Sequence, residues 1–327
     1  MTLRSTLYDA AGTDREVELA PGVVSQLGTQ QLLWVDLDGR ETEAVERLGK
    51  ALDLPQDAID HLLEAPGSAR LLRHPKLVHL RLVAMQPAES GGAGTGRAQN
   101  LQSAPIDIVA GANLVVTVHD GAVHAFDAFV AHIRGDSHLG ELDAAGFMGA
   151  LVDSVLSVYL EIVETIERRI DILDELALRG GRPDAFLSEV VTLRRRIAAL
   201  RRTLAPHRAA FAPLARPDLD VPELGRPWPG LVERLERTID ATESARDLLL
   251  GSFDVYMARA AHRTNNVMKV LTVLNAILLP SIVLAGVMGM NFKIPFFEDP
   301  VNFWLVVGAM LALATTIIGV SRWRGWL

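Results

Sequence analysis

VMKVLTVLNAILLPSIVLAGVMGMN, residues 267 to 291, is the stretch whose reading decides the fold. It carries one charge, Lys269, and exceeds the roughly 20 apolar residues that a helix needs to cross a hydrocarbon core of about 30 Å. A second apolar run, without charge, extends from Val301 to Val320. The chain therefore reads as ending in a membrane hairpin. The first transmembrane helix is expected at 267–291, an external loop at 292–300, a second transmembrane helix at 301–321 and a tail at 322–327.

Charge placement orients this hairpin. Arg259, Arg263 and Lys269 precede or enter the first span and Arg322 and Arg324 follow the second, whereas the loop sets Lys293 against Glu298 and Asp299. Cytoplasmic flanks collect lysine and arginine. Both termini are thus expected in the cytoplasm and the loop outside. The first residues, MTLRSTLYDAAGTDREVELA, lack the apolar core of a signal peptide, so the chain before the spans is expected to stay inside.

Upstream of the first span no helix stop occurs between Pro229 and Met290 except Pro280, which lies within the span, where neighbouring helices can satisfy the groups it frees. About 60 residues at 1.5 Å each make a helix of about 90 Å, so 229–266 is expected to form a stalk below the membrane. Leu235, Ile239, Thr242, Leu249, Phe253, Tyr256 and Ala260 recur at four and three, the pattern of a self-associating seam. Thr264, Met268, Leu271, Asn275, Leu279, Ile282, Gly286 and Gly289 continue it.

Residues 141–228 read as a helical hairpin. Leu151, Val155, Val158, Ile162, Ile166, Ile170 and Leu173 form one apolar stripe. Gly180, Gly181 and Pro183 interrupt it before the basic helix FLSEVVTLRRRIAALRRTL. Surface ion pairs between the two helices contribute only about 0 to 1 kcal/mol each, so the stripe must hold them. Proline and glycine then crowd from Pro213 to Gly230.

Residues 1–140 read as a mixed α/β domain, with strands at LLWVDL (32–37), LVHLRLVAM (77–85), IDIVA and NLVVTVH, and a helix at ETEAVERLGKAL. GGAGTG (91–96) lies between two strands, not between a strand and a helix, and so reads as a hairpin connection and not a phosphate loop. His119, His124, His132 and His138 cluster without the spacing or carboxylates of a metal set. A net charge of −8 argues against nucleic acid. The absence of cysteine removes disulfides, thiolate zinc and thiol catalysis. No catalytic constellation is visible, and no cofactor is implied.

RTNNVMKVLT (263–272), Pro280 in mid-span and GMNF (289–292), met in this order ahead of a second span, resemble the signature of the CorA-like metal ion transporter family, its magnesium branch or its ZntB-like branch. LRRRIAALRR resembles the helices that precede the family's stalk. The resemblance implies an α+β membrane protein: a cytoplasmic α/β domain, a long helical stalk and two C-terminal transmembrane helices. It implies a homopentamer in the inner membrane, in contact with lipid, that conducts a hydrated divalent cation: Mg2+, or Zn2+, Co2+ or Ni2+.

Under that resemblance Gly289, Met290 and Asn291 form the selectivity filter, with Asn291 meeting the ion through its hydration shell. Thr264, Asn265, Met268, Leu271, Asn275, Leu279, Ile282 and Gly286 line the pore, and Lys269, Arg322 and Arg324 resemble the family's basic belt. Five copies of Glu298 and Asp299 would concentrate cations at the outer mouth. Simpler roles stand beside these. Gly289 and Asn291 suit a helix C-terminal cap, Asn275 suits a helix-to-helix hydrogen bond, Met268, Leu271 and Leu279 suit ordinary packing, and the basic residues suit snorkelling to the interface.

Three departures set this chain apart. Met288 stands where the magnesium branch typically has tyrosine, Ile282 where a pore threonine is common, and KIPFFEDP (293–300) replaces the usual loop. They leave the ion open and motivate one rival, a membrane-anchored scaffold or partner-binding protein that no longer conducts. A second rival, a membrane-tethered enzyme, has no catalytic set to support it.

Overall fold

The computed structural model describes residues 2–9, 13–88, 101–133, 143–179, 183–215, 229–290 and 300–326. The chain divides into two compact units, Met1–Gly251 and Ser252–Leu327.

The first unit is built on a seven-stranded sheet. Its strands are β1 (Thr2–Asp9), β2 (Arg15–Glu16), β3 (Gln31–Asp38), β4 (Arg70–Arg73), β5 (Val78–Pro87), β6 (Leu101–Ala110) and β7 (Leu114–His119). They lie in the order β2-β1-β3-β7-β6-β5-β4. The β3 and β7 pair is parallel and the other pairs are antiparallel. The four strands expected at the sequence level are present. The glycine-rich 91–96 lies outside the described residues, but β5 and β6 on either side of it pair antiparallel from Pro87↔Leu101 inward.

Alternation along β3 supplies both faces of the sheet. Leu33, Val35 and Leu37 pack with Ala44, Val45, Leu48 and Leu52 of α1 (Thr42–Leu52) and with Ile59 and Leu62 of α2 (Gln56–Leu63). Trp34 points the other way. Its ring meets Phe126 and Phe129 edge-on and Phe147 at a tilt, and its Nε1 donates to Thr117 Oγ1 at 3.0 Å. Those phenylalanines come from α3 (His124–Ile133) and α4 (Ala144–Arg179).

The apolar stripe of α4 is buried at Leu151, Val155, Ile162, Ile166, Ile170 and Leu173, while Val158 is only half-buried and Tyr159 takes the inward place. This stripe faces β5, β6 and β7 as well as its antiparallel neighbour α5 (Pro183–Phe211). A proline at the first helical position suits α5, because that N–H has no intrahelical partner to lose. The sheet's edge explains why Tyr159 turns inward. β4 stops pairing at Arg81, so the outward groups of Val83 have no strand beside them. Tyr159 Oη donates to Val83 O at 2.5 Å, and Val83 N donates to His207 Nε2 at 3.1 Å. One hydroxyl and one imidazole thus pin α4 and α5 to the part of β5 that β4 does not reach.

The long helix α6 (Pro229–Met288) begins in this unit. Leu235, Ile239 and Leu249 of the expected seam are buried, with Thr238, Thr242 and Ala245. Arg208 pairs with Glu236, with Nε donating to Oε1 at 2.8 Å, and Arg234 pairs with Asp153 at 2.6 Å. The lower seam therefore packs against α4 and α5 of its own chain, where the sequence reading had it meeting other copies. Only its upper members remain accessible: Phe253 and Tyr256 are half-buried and Ala260 is exposed.

The second unit contains the rest of α6 and α7 (Pro300–Trp323). Helix continues through Pro280, which offers no N–H to the carbonyl four residues back. Beside it, Ser281 Oγ donates to Ile277 O at 2.8 Å.

Candidate functional site

Three described helices are long and apolar enough to cross a membrane. In α4 half of the most apolar window is buried in the first unit, against 6% for α6 and none for α7. The upper α6 and α7 are therefore the helices whose apolar surface this chain leaves uncovered. Val267, Met268, Leu271, Leu279, Ile282, Val301, Phe303, Trp304 and Leu305 are all exposed.

On α6 the expected pore residues occupy one stripe. At about 100° per residue, Thr264, Met268, Leu271, Asn275, Leu279, Ile282, Gly286 and Gly289 fall within an arc of about 80° on a helix unbroken to Met288. Asn265 lies about 40° outside that arc, and Lys269 lies about 80° outside it and is half-buried. Each of the eight is exposed. Thr264 Oγ1 is spent on Ala260 O at 3.0 Å, so along the stripe Asn275 offers the uncommitted polar side chain.

The helix tightens at its upper end. Gly289 N donates to Ala285 O at 2.9 Å, and Met290 N to Val287 O at 3.2 Å, a change from four-residue to three-residue spacing. A Cβ on Gly289 would stand 3.3 Å from Ala285 O, so glycine suits this last turn. Asn291, Glu298 and Asp299 lie outside the described residues. Arg322 and Arg324 are exposed in the last turn of α7 and just beyond it.

The histidines distribute differently from their sequence cluster. His119 donates from Nε2 to Asp36 Oδ1 at 3.1 Å and from Nδ1 to Gly121 O at 2.7 Å. Burial opposes its charge, but Asp36 prevails and raises its pKa. His124 N donates to Gln86 Oε1 at 3.1 Å. The side chain of His132, and all of His138, lie outside the described residues. Three histidines that spacing did not single out, His61, His74 and His79, come together instead, with ring centroids 6.0 to 6.4 Å apart. They derive from α2, the β4–β5 turn and β5, and local periodicity carries no signal for that meeting.

Comparison with known proteins bears on this geometry. The family model described as "CorA-like Mg2+ transporter protein" matches residues 29–320. The chain is 25% identical over 302 residues to the cobalt/magnesium transport protein CorA of Thermotoga maritima, covering 90% of this chain and 83% of that one. It is 28% identical to the divalent cation transporter CmaX of Pseudomonas aeruginosa, covering 98% and 95%. A structure of full-length CmaX superposes with a TM-score of 0.70 at 26% identity, covering 98% and 96%. The complete CorA magnesium transporter of Methanocaldococcus jannaschii superposes with a TM-score of 0.75 over all of both chains at 18% identity, a likeness of fold.

Proposed function

This chain belongs to the CorA-like Mg2+ transporter protein family, and from that premise we propose that it is a homopentameric divalent cation channel of the inner membrane, with magnesium as the foremost cargo. The observation that carries this reading is the exposed stripe on upper α6. A single hairpin encloses no path, so a stripe of small, polar and aliphatic residues that conducts needs copies of itself around an axis. The family is one of transporters, which removes the tethered-enzyme rival.

In this reading residues 267–291 are the inner span and 301–321 the outer one. The rings of Met268, Leu271 and Leu279 form apolar constrictions that gate by dewetting. Magnesium sheds its water reluctantly, so a filter for it presents neutral oxygens to the hydration shell and leaves the ion hydrated. Five Asn291 carboxamides, with carbonyls freed where the helix tightens at Gly289 and Met290, supply such a filter. Glu298 and Asp299 raise the local cation concentration outside, and Lys269, Arg322 and Arg324 form the cytoplasmic belt, with both termini on that side. A second reading, a non-conducting scaffold, is favoured by Ile282, which puts an exposed branched alkyl group on the stripe where the resemblance expects a hydroxyl.

Metal uptake into proteoliposomes by wild type and Asn291→Ala, with size exclusion run on both, tests the proposal. Wild-type flux that the substitution abolishes or renders unselective, at unchanged assembly size, is the expected result. Wild type without flux of magnesium, cobalt, nickel or zinc would establish the scaffold instead, and undiminished mutant flux would remove Asn291 from the filter.

A further inference from the structure

The first unit buries a charged cluster that the transport reading does not use. Arg81 and Asp107 are register partners on β5 and β6, and Asp107 is wholly buried. It accepts from Arg81 Nε at 2.7 Å, from Arg40 at 2.5 Å and from His79 Nε2 at 2.5 Å. Burial alone would raise this carboxyl. The bonds from His79 and Arg81, with Arg40 close by, overcome that and hold it at about 2.

Two neighbouring imidazoles are left with unmet lone pairs. His79 gives its Nε2 proton to Asp107, which leaves Nδ1 as an acceptor, and His74 gives its Nδ1 proton to Asp57 Oδ2 at 2.7 Å, which leaves Nε2. Both side chains are at least nine-tenths buried, and among the described residues neither His79 Nδ1 nor His74 Nε2 has a partner. A buried lone pair without a donor is costly. An imidazole whose far nitrogen is held by a carboxylate is the arrangement that orients a metal ligand, and here it occurs twice.

We propose that His74 and His79, joined by His61, bind a borderline divalent cation of the Zn2+ class within the first unit. Imidazole nitrogen suits Zn2+, Co2+ and Ni2+, whereas Mg2+ takes oxygen. Each nearby arginine faces a carboxylate of its own, Arg81 that of Asp107, Arg40 that of Asp120 as well as Asp107, and Arg70 that of Glu64, so their charge does not stand alone against an incoming cation. Among the described residues no three such side chains already form a complete set. His61 would supply the third donor on side-chain rotation, giving up the bond from its Nδ1 to Asp57 O at 2.5 Å; its ring is 29% exposed, and its Nε2 lies 3.9 Å from Glu64. The inference is independent of what the pore conducts.

Full-length protein in detergent tests it by thermal unfolding and calorimetric titration with Zn2+ and with Mg2+, and by the visible absorption of bound Co2+. Wild type and Asn291→Ala should both gain about 5 to 10 °C in Tm at Zn2+ a hundredfold above Kd and show a tetrahedral Co2+ band, with no response of this kind to Mg2+. His74→Gln should remove the band and weaken Zn2+ at least about tenfold, and Asp57→Asn should weaken it by roughly 10- to 100-fold. If His74→Gln does not fold, His61→Ala, at the cluster's exposed edge, carries the same expectation. Zn2+ affinity and Co2+ spectrum unchanged in these variants, or a wild type indifferent to Zn2+, would overturn the site and leave a buried water to meet the two lone pairs.

Discussion

Helix α4 and the upper part of α6 begin from similar material and end in different solvents. Both are long helices with an eighteen-residue window apolar enough for a bilayer. In α4 the apolar residues form a stripe, and acidic and basic residues such as Glu164, Glu167, Arg168 and Arg169 occupy the remainder. The stripe has a sheet and a second helix to cover it. Upper α6 is apolar around most of its circumference, and the described residues cover little of it, with 6% of its most apolar window buried. Hydropathy averaged along a helix does not separate these cases. The angular distribution of charge does, because a helix in lipid has no face on which to place an ion pair.

Exchanging a charge into each stripe should break the comparison most strongly. Ile166→Asp would bury an unpaired carboxylate in the first unit, at a cost above about 4 kcal/mol, and that unit should lose its cooperative thermal transition. Leu279→Asp, on the exposed stripe, should leave that transition in place while abolishing flux or dispersing the oligomer on size exclusion. Equal loss of the first unit's transition in both variants would mean that α6 is not partitioned as described.

Acid sharpens the account of how α4 and α5 are held. His207 is buried as the neutral imidazole, with Nδ1 donating to Thr203 O at 2.8 Å and Nε2 accepting from Val83 N, and burial pushes its pKa down to about 4. The unfolded chain takes up this proton near pH 6.5, so stability should be intact above that value, fall as pH drops toward 4, and level off below it. The loss amounts to about 3 kcal/mol at most. Denaturant unfolding at pH 7 and pH 4.5 measures it, and His207→Gln should flatten the slope. Tyr159→Phe removes the other pin and leaves the Val83 carbonyl buried without its donor, a cost of about 1 to 3 kcal/mol at any pH, read in the same experiment.

The smallest effect concerns the exposed pair between α5 and α6. Arg208→Ala breaks the contact with Glu236, but both side chains are more than a third exposed. Solvent screening makes the expected change the smallest of these, and high salt should shrink it further. A larger loss would assign the lower seam to electrostatics and not to Leu235, Ile239 and Leu249.

Much of the architecture was legible because it is local. The strand at 77–85 shows in its two-residue alternation, the helix from Pro229 to Met288 in the lack of any stop but Pro280, and the spans in unbroken apolar runs. The candidate pore stripe is local in the same sense, since residues three and four apart share a face of one helix. Asn291, by contrast, owes its proposed role to the tripeptide it ends and to family membership, and not to any described geometry.

The sequence by itself determined four of the seven strands, the long helices and the segments suited to lipid, because each of those properties is a period or a length within one segment. Only the tertiary structure decided what each apolar face meets. The seam at 235–249 has the spacing of a coiled coil but is taken up by α4 and α5 of the same chain, since periodicity records that a face is buried and not by what. His61, His74 and His79, and Asp107 with its two arginines, converge for the same reason. Strand pairing brings β5 against β4 and β6, and the register that places Arg81 opposite Asp107 is a relation between segments that no single segment encodes.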